Sequence, residues 1–153
     1  MNEADSALRI VLKPAQPDDA AAIAALLAAA DLPHTDIAPH LGNFLVAWTG
    51  ETAVGAVGLE VHGSDALLRS LVVAPELRGR GLGDNLAETI VARARGLGVT
   101  RLFLLTTTAE RFFARRGFAV VARRIVPAAI AATAEFRGLC PATAVCMARA
   151  LTP

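Results

Sequence analysis

The chain has 153 residues, a length typical of a single domain, and it carries a formal net charge of +1. Hydrophobic residues make up 54% of it and charged residues 19%, which excludes an intrinsically disordered chain. The near-zero net charge excludes a general electrostatic attraction for nucleic acid. The longest apolar run, over residues 20–30, is shorter than the roughly 18 residues that a membrane span needs. We therefore expect one domain over residues 1–153, with a flexible N-terminus over residues 1–7.

The N-terminus and the cysteines favour a cytoplasmic protein. An acidic start without an apolar stretch behind it is not typical of a secretory signal, and Cys140 and Cys146 do not form a disulfide framework. The two cysteines have no neighbouring histidine, and His34 and His40 lie in a proline-rich loop, so no metal site is predicted. We expect neither nucleic acid nor a membrane as a partner, and a monomer or a homodimer.

In chain order, the pattern of apolar and turn-forming residues predicts an α/β (α+β) domain with a mixed sheet. The short turns between the second, third and fourth strands indicate an antiparallel meander, and the apolar fifth strand is expected to be buried on both faces. Seven strands are predicted over Leu8–Lys13, Phe44–Thr49, Thr52–His62, Ala66–Val73, Arg101–Thr106, Phe118–Arg123 and Thr143–Arg149. Four helices are predicted over Ala20–Ala30, Asp84–Arg95, Glu110–Arg116 and Pro127–Gly138.

The segment Arg78–Gly83 joins the fourth predicted strand to the second predicted helix, and it carries glycines at three alternate positions. Glycine permits positive φ angles and a close approach of the main chain to a ligand. The helix N-terminus behind the loop presents unpaired N–H groups and a partial positive charge. Arg78 and Arg80 add two guanidinium groups suited to phosphate oxygens. These features predict an anion site, best matched to a pyrophosphate.

Two common phosphate-binding motifs are excluded by their missing residues. A P-loop needs a lysine after its last glycine, but the sole lysine of the chain is Lys13. The dinucleotide fingerprint needs a third glycine where this chain has Asp84. What remains is Arg-x-x-Gly-x-Gly, which resembles the acetyl-CoA loop of the GNAT family of N-acetyltransferases. The likeness extends from the first helix through the meander to the strand–helix–Gly-Phe unit over Leu102–Phe118.

The resemblance implies a GNAT-like mixed sheet of about seven strands, splayed at its centre and flanked by helices, with acetyl-CoA as co-substrate and no metal. Thr107 and Thr108 would face the acetyl thioester, and the main-chain N–H of Val72 or Val73 would polarise its carbonyl. The residues implied to bind the cofactor are Leu71, Val72, Val73, Arg78, Gly79, Arg80, Gly81, Leu82, Gly83, Asp84, Phe112 and Arg115.

Within the family, several segments are similar to a narrower group associated with bacterial arsenic-resistance clusters. This likeness implies acetylation of a small amino-acid-like amine, with an organoarsenical or a related toxic analogue as one such acceptor. Cys140 and Cys146 would then either bind trivalent arsenic or only pack. Acetylation of a protein or peptide N-terminus and a non-catalytic acyl-CoA sensor are the alternatives. The similar segments are Gly58–Glu60, Leu68–Leu71, Leu104–Glu110 and Glu135–Met147.

Acetyl transfer to an amine needs a neutral amine, a polarised carbonyl and a proton for the leaving thiolate. Glu60, in an apolar strand, is the first candidate for the base, and a solvated surface charge is the other interpretation; His62 is the alternative base. Arg69 either binds an acceptor carboxylate or forms a structural salt bridge, with Glu60 as one partner. Ser70, also a candidate for substrate binding, points to the opposite face of the strand unless a bulge intervenes.

The chain departs from the family pattern because it contains no tyrosine. Many members carry Phe-Tyr before the Gly-Phe pair, and that tyrosine is taken to protonate the thiolate. Here the corresponding residues are Phe112 and Phe113. Since a thiol has a reference pKa of about 8.5, we predict that general-acid catalysis contributes little and that Phe113 packs around the thioester.

Overall fold

The computed structural model describes residues 9–152, which form a mixed sheet in the order β1-β2-β3-β4-β5-β7-β6, together with helices. The strands are β1 (Val11–Pro14), β2 (Phe44–Thr49), β3 (Thr52–His62), β4 (Asp65–Val73), β5 (Arg101–Thr106), β6 (Ala119–Val120) and β7 (Val145–Ala150). The α-helices are α1 (Ala20–Ala29), α2 (Leu82–Gly96), α3 (Glu110–Ala114) and α4 (Ala128–Ala131). Short 3₁₀ turns cover Pro17–Asp19, Ala38–Asn43, Pro75–Leu77 and Arg123–Ile125, and a π turn covers Glu135–Leu139. The predicted mixed sheet of seven strands with helices is confirmed.

The described chain divides into two compact units, and the first contains residues up to Gly58 together with Ser70–Ile90. In this unit β1 pairs antiparallel with β2, and β2 pairs antiparallel with β3. Helix α1 forms from alanine and leucine, the strongest helix formers, and it buries its apolar side in a core shared with β2, β3 and β4. The buried members of this core are Ile23, Leu27, Ile37, Leu41, Phe44, Val46, Ala56 and Val72.

The second unit contains Leu59–Arg69 and the residues from Val91 onward. Strand β4 pairs parallel with β5 from Asp65 opposite Arg101 to Leu67 opposite Phe103, and β7 pairs antiparallel with both β5 and β6. Two hydrogen bonds from the Arg101 guanidinium to the Asp65 carboxylate, at 2.8 and 3.1 Å, join the first residues of the two strands. Leu67, Phe103 and Ile130 form one buried hydrophobic cluster in this unit.

The prediction of one helix over Pro127–Gly138 is wrong. Helix α4 ends at Ala131, and the Thr133 hydroxyl donates to the Ile130 carbonyl at 2.7 Å, a local bond that competes with helix continuation. The π turn follows, and Gly138 has a φ of 147°, a conformation that redirects the chain and that only glycine adopts readily. An alanine-rich composition therefore did not secure a continuous helix.

Other predicted boundaries shift by a few residues. The strand over Phe118–Arg123 shortens to β6, because Arg123 donates through Nη2 to the carbonyls of Pro141 (3.1 Å) and Ala144 (2.9 Å) and the chain leaves the sheet there. Strand β1 begins at Val11, and Leu8 of the first predicted strand lies outside the described residues, as do residues 1–7.

The single-domain organisation expected from the length stays a prediction. Within residues 9–152, no helix combines the length and the apolar content that crossing a membrane requires.

Candidate functional site

The glycine-rich loop has the backbone conformation that its sequence predicted. Gly79 and Gly81 have φ angles of +80° and +84°, and both are exposed. A Cβ atom built on either glycine would meet nothing within 4 Å among residues 9–152, so the described chain leaves space above the loop. Glycine is favoured here because residues that carry a side chain rarely adopt this backbone conformation.

Helix α2 begins earlier than predicted, at Leu82, and its first-turn residues Gly83 and Asp84 follow directly. The Asn85 N–H donates to the Gly81 carbonyl at 3.1 Å, which is the bond that opens the helix. Because the first N–H groups of a helix have no acceptor within it, Leu82 and Gly83 place such groups beside the loop. The helix N-terminus thus coincides with the predicted anion site.

The two arginines of the loop are exposed, and one of them also holds the loop in place. Arg78 donates through Nε to the Val73 carbonyl at 3.2 Å, which links the loop to the end of β4. In that strand the Val72 side chain is buried in the core, whereas Leu71 and Val73 are only partly buried. The predicted contacts of these residues with the cofactor stay predictions.

Strand β4 contains one residue with an irregular backbone, Ser70, whose φ of +63° is unusual for a residue other than glycine. Arg69 and Ser70 are both buried, at 2% and 8% exposure, as are the preceding residues 66–68, so their joint burial does not place them on one face. A residue in this conformation breaks the alternation of a strand in the way that a β-bulge does. Contact of Arg69 and Ser70 with one and the same ligand stays a prediction.

Two buried carboxylates, Glu60 from β3 and Glu135 from the π turn, bind the guanidinium of Arg69 in β4. We call Glu60, Arg69 and Glu135 the charged cluster. Arg69 donates through Nη1 to Glu60 Oε2 at 2.7 Å, and its Nε lies 3.4 Å from Glu135 Oε2. Glu60 is 4% exposed, so the interpretation of a solvated surface charge is wrong. Of the two interpretations of Arg69, the structure contains the salt bridge to Glu60.

Two further groups border the charged cluster. His62 places Nε2 at 3.9 Å from Glu60 Oε1. This nitrogen is buried and has no hydrogen-bond partner among the residues that the structure describes, although the side chain as a whole is partly exposed. The Cys140 thiol donates to Glu135 Oε1 at 3.5 Å. Burial, the charge of Glu135 and this hydrogen bond raise the pKa of Cys140 to about 12, so the thiol remains a protonated donor at neutral pH. Among residues 9–152, no three His, Cys, Asp or Glu side chains group as metal ligands would.

The remaining candidates lie in the second unit, near α3. Thr107 and Thr108 are exposed. Arg115, which directly follows the last residue of α3, is exposed as well. The Phe112 ring lies under the Arg116 guanidinium, at 3.5 Å from the ring centroid to Cζ. The roles of these residues toward substrate or cofactor stay predictions.

Phe113, the residue at the position of the absent tyrosine, is buried in an aromatic cluster. Its ring contacts those of Phe112 and Phe118 edge-on, with centroids 5.1 and 5.5 Å away. Its packing therefore serves the interior of the second unit. Packing of the same residue around a thioester stays a prediction.

Sequence reasoning missed Glu135 as a functional candidate. It was treated as part of a helix and of a motif likeness, whereas the structure buries it against Arg69. The available signal was a single carboxylate within the apolar and small residues of 127–136, since a buried charge needs a partner.

Comparison with known proteins gives a family match and several relatives. The model described as the acetyltransferase (GNAT) family matches residues 10–118. The amino-acid acetyltransferase of Pseudomonas aeruginosa is 46% identical over 70 residues, which are 46% of this chain and 16% of the relative. That of Ralstonia nicotianae is 36% identical over 80 residues, or 51% of this chain and 18% of the relative. The chain thus spans less than a fifth of these relatives.

Solved structures show the same architecture. N-acetylglutamate synthase from Neisseria gonorrhoeae, complexed with coenzyme A and L-arginine, has a TM-score of 0.80 and 25% identity, over 94% of this chain and 34% of that chain. The protein Rv2747 from Mycobacterium tuberculosis, in complex with CoA and NLQ, has a TM-score of 0.77 and 24% identity, over 93% of this chain and 99% of that one. The second likeness shows the fold alone.

Proposed function

The chain belongs to the acetyltransferase (GNAT) family, and from this membership we propose that it transfers the acetyl group of acetyl-CoA to the amine of a small amino-acid-like acceptor. The relatives named amino-acid acetyltransferase support this class of acceptor, although they are much longer chains. The synthase structure that contains coenzyme A supports the co-substrate.

The observation that carries the proposal is the open glycine loop at the N-terminus of α2. Positive φ angles at Gly79 and Gly81 shape the loop, and first-turn N–H groups without helical acceptors lie beside it. Arg78 and Arg80 add positive charge, so the combination favours a doubly charged anion such as the pyrophosphate of CoA. These residues would hold the co-substrate.

Bound acetyl-CoA would supply an activated acetyl thioester. We propose that Glu60 removes the proton of the acceptor ammonium, either directly or with His62, which lies beside it. The N–H of Val72 would donate to the thioester oxygen as charge develops there. The charged cluster counts two carboxylates against one guanidinium, and this excess of negative charge favours a cationic amine.

An organoarsenical acceptor, in the context of arsenic resistance, is a narrower form of the same proposal. It is supported by the motif likeness in the sequence, whereas the relatives reported above carry the name of amino-acid acetyltransferases. A cytoplasmic location belongs with this proposal. An acceptor panel separates the narrow form from the general one.

The test is acetyl-CoA turnover by the purified chain with amino acids, phosphinic and organoarsenical amino acids, and a peptide with a free N-terminus. We expect thiol release together with a product heavier by one acetyl group, for at least one small acceptor. The Gly81→Glu variant serves as control, because its side chain blocks the loop. Binding of CoA without thiol release for every acceptor would indicate a sensor, and acetylation of the peptide alone would indicate an N-terminal acetyltransferase; either result contradicts the proposal.

A further inference from the structure

We infer that Glu135 is a positioning residue, which fixes the Glu60 carboxylate through the guanidinium of Arg69. The inference rests on the proposed function, since it takes Glu60 as the base. Glu135, in the π turn, lies 75 positions after Glu60 in the sequence, and the inference gives it a part in the chemistry of Glu60.

The geometry shows how one arginine serves two carboxylates. Arg69 uses Nη1 for Glu60 and Nε for Glu135, two positions on one rigid planar fork. The Arg69 side chain is 0% exposed, so water cannot replace either partner cheaply. A shift of Glu135 would therefore turn the guanidinium and move the atom that binds Glu60.

Glu135 is itself held at both its main chain and its side chain. The Cys140 N–H donates to the Glu135 carbonyl at 3.1 Å, and the Cys140 thiol donates to its carboxylate. Gly138 supplies the turn that returns the chain to this position. The turn thus presents Glu135 to Arg69 in a fixed place.

Charge gives a second consequence. Two carboxylates share one guanidinium, so removal of either leaves a balanced pair, whereas removal of both leaves a buried guanidinium without either carboxylate. His62, beside Glu60, is another titratable group at this cluster. The positive charge of Arg123 acts in the opposite direction to burial on Cys140, since it lowers the pKa of the thiol.

The first experiment measures the unfolding equilibrium of Glu60→Gln, Glu135→Gln and the double variant by urea denaturation. Each single variant keeps one ion pair, so the double variant should lose at least about tenfold more in its folding equilibrium constant than the two single losses multiplied. Glu51→Gln, in an exposed turn, is the matched control and should combine with Glu60→Gln additively. Additive effects of Glu60→Gln and Glu135→Gln would overturn the inference.

The second experiment follows kcat/KM against pH for an accepted amine. Glu135→Gln should lower kcat/KM about tenfold or more while the Kd of CoA stays within about twofold, and it should move the acid limb about one pH unit lower, because a negative neighbour of Glu60 is lost. Glu135→Asp keeps the charge and should leave the limb in place, which a purely structural role would not predict.

Turnover with an unmoved limb in Glu135→Gln would overturn the inference while the proposed function stands. Absence of turnover by the wild-type chain with every acceptor would refute the proposed function. The unfolding cycle would then still decide whether Glu135 and Glu60 are coupled through Arg69.

Discussion

The substitution Gly81→Ala separates the loop's role in binding from its backbone strain, because the chain contains a matched glycine. Gly81 and Gly98 both have a φ of +84°, both are exposed, and neither would bring an added Cβ within 4 Å of another residue that the structure describes. Gly81 lies in the candidate anion site, whereas Gly98 follows the C-terminus of α2. The two alanine variants therefore impose the same local conformation at sites of different predicted role.

The strain should be equal in the two variants. An alanine in the left-handed region costs about 1–2 kcal/mol. For a domain of this size about 1 kcal/mol corresponds to roughly 2–4 °C in Tm, so each variant should melt about 2–8 °C lower. Only Gly81→Ala also places a methyl group where a pyrophosphate would approach the main chain. We expect it to weaken CoA binding at least about tenfold, or about 1.4 kcal/mol.

The assay pairs thermal unfolding with calorimetric titration of CoA. Gly98→Ala should match Gly81→Ala in Tm and match the wild-type chain in Kd. Gly81→Glu, which adds a negative charge, should bind more weakly than Gly81→Ala. If the two alanine variants bind CoA equally well, the assignment of the loop as the pyrophosphate site is wrong.

Four other outcomes follow from the site and the core. Glu60→Gln should lower turnover about 10²-fold at neutral pH, with recovery at high pH where the amine loses its proton unaided; an equal loss at every pH would contradict a base. Phe113→Tyr should change turnover by less than about tenfold and add no limb near pH 10, and a hundredfold gain would show that thiolate protonation is limiting. Gly58→Ala should lower the free energy of unfolding by about 1–3 kcal/mol, measured in urea, because its Cβ would overlap a core phenylalanine ring. Since burial raises the pKa of Cys140 from 9.0 to about 12, the folded chain keeps a proton that the unfolded chain releases, so stability should fall between about pH 9 and 12, and less steeply in Cys140→Ala.

The parts of the fold that the sequence predicted well are those set by local pattern. The bounds of β2, β3 and β5 agree with the predicted ones, since each strand is a run of apolar residues between clear turn signals. The loop before α2 was also predictable, because alternating glycines ahead of a helix start are typical of a turn with positive φ angles, which other residues rarely adopt. Local chemistry decides such segments.

The parts that were not predicted depend on partners distant in the sequence. Alanine favours a helix over residues 127–138, but Glu135 forms an ion pair with Arg69. The local sequence pattern does not predict that ion pair. The salt bridge between Arg69 and Glu60 was one of two open interpretations of Arg69, because a strand pattern alone does not say which side chains bind each other. Strand alternation likewise does not predict the φ of +63° that Ser70 adopts within β4.

The cost of the charged cluster is the strongest reason to connect it with activity. A buried ion pair is weak evidence for stability, because replacement by apolar side chains of similar volume is often neutral or stabilising by about 1–4 kcal/mol. Here a second carboxylate adds to that cost, since Glu60 alone would balance Arg69. Ser70, next to Arg69, adds a strained conformation of the kind that costs about 1–3 kcal/mol. Two unfavourable features on adjacent residues of β4 do not serve the fold. Both would be accounted for if, as proposed above, Arg69 orients Glu60 and Ser70 redirects the main chain ahead of the candidate anion-binding loop.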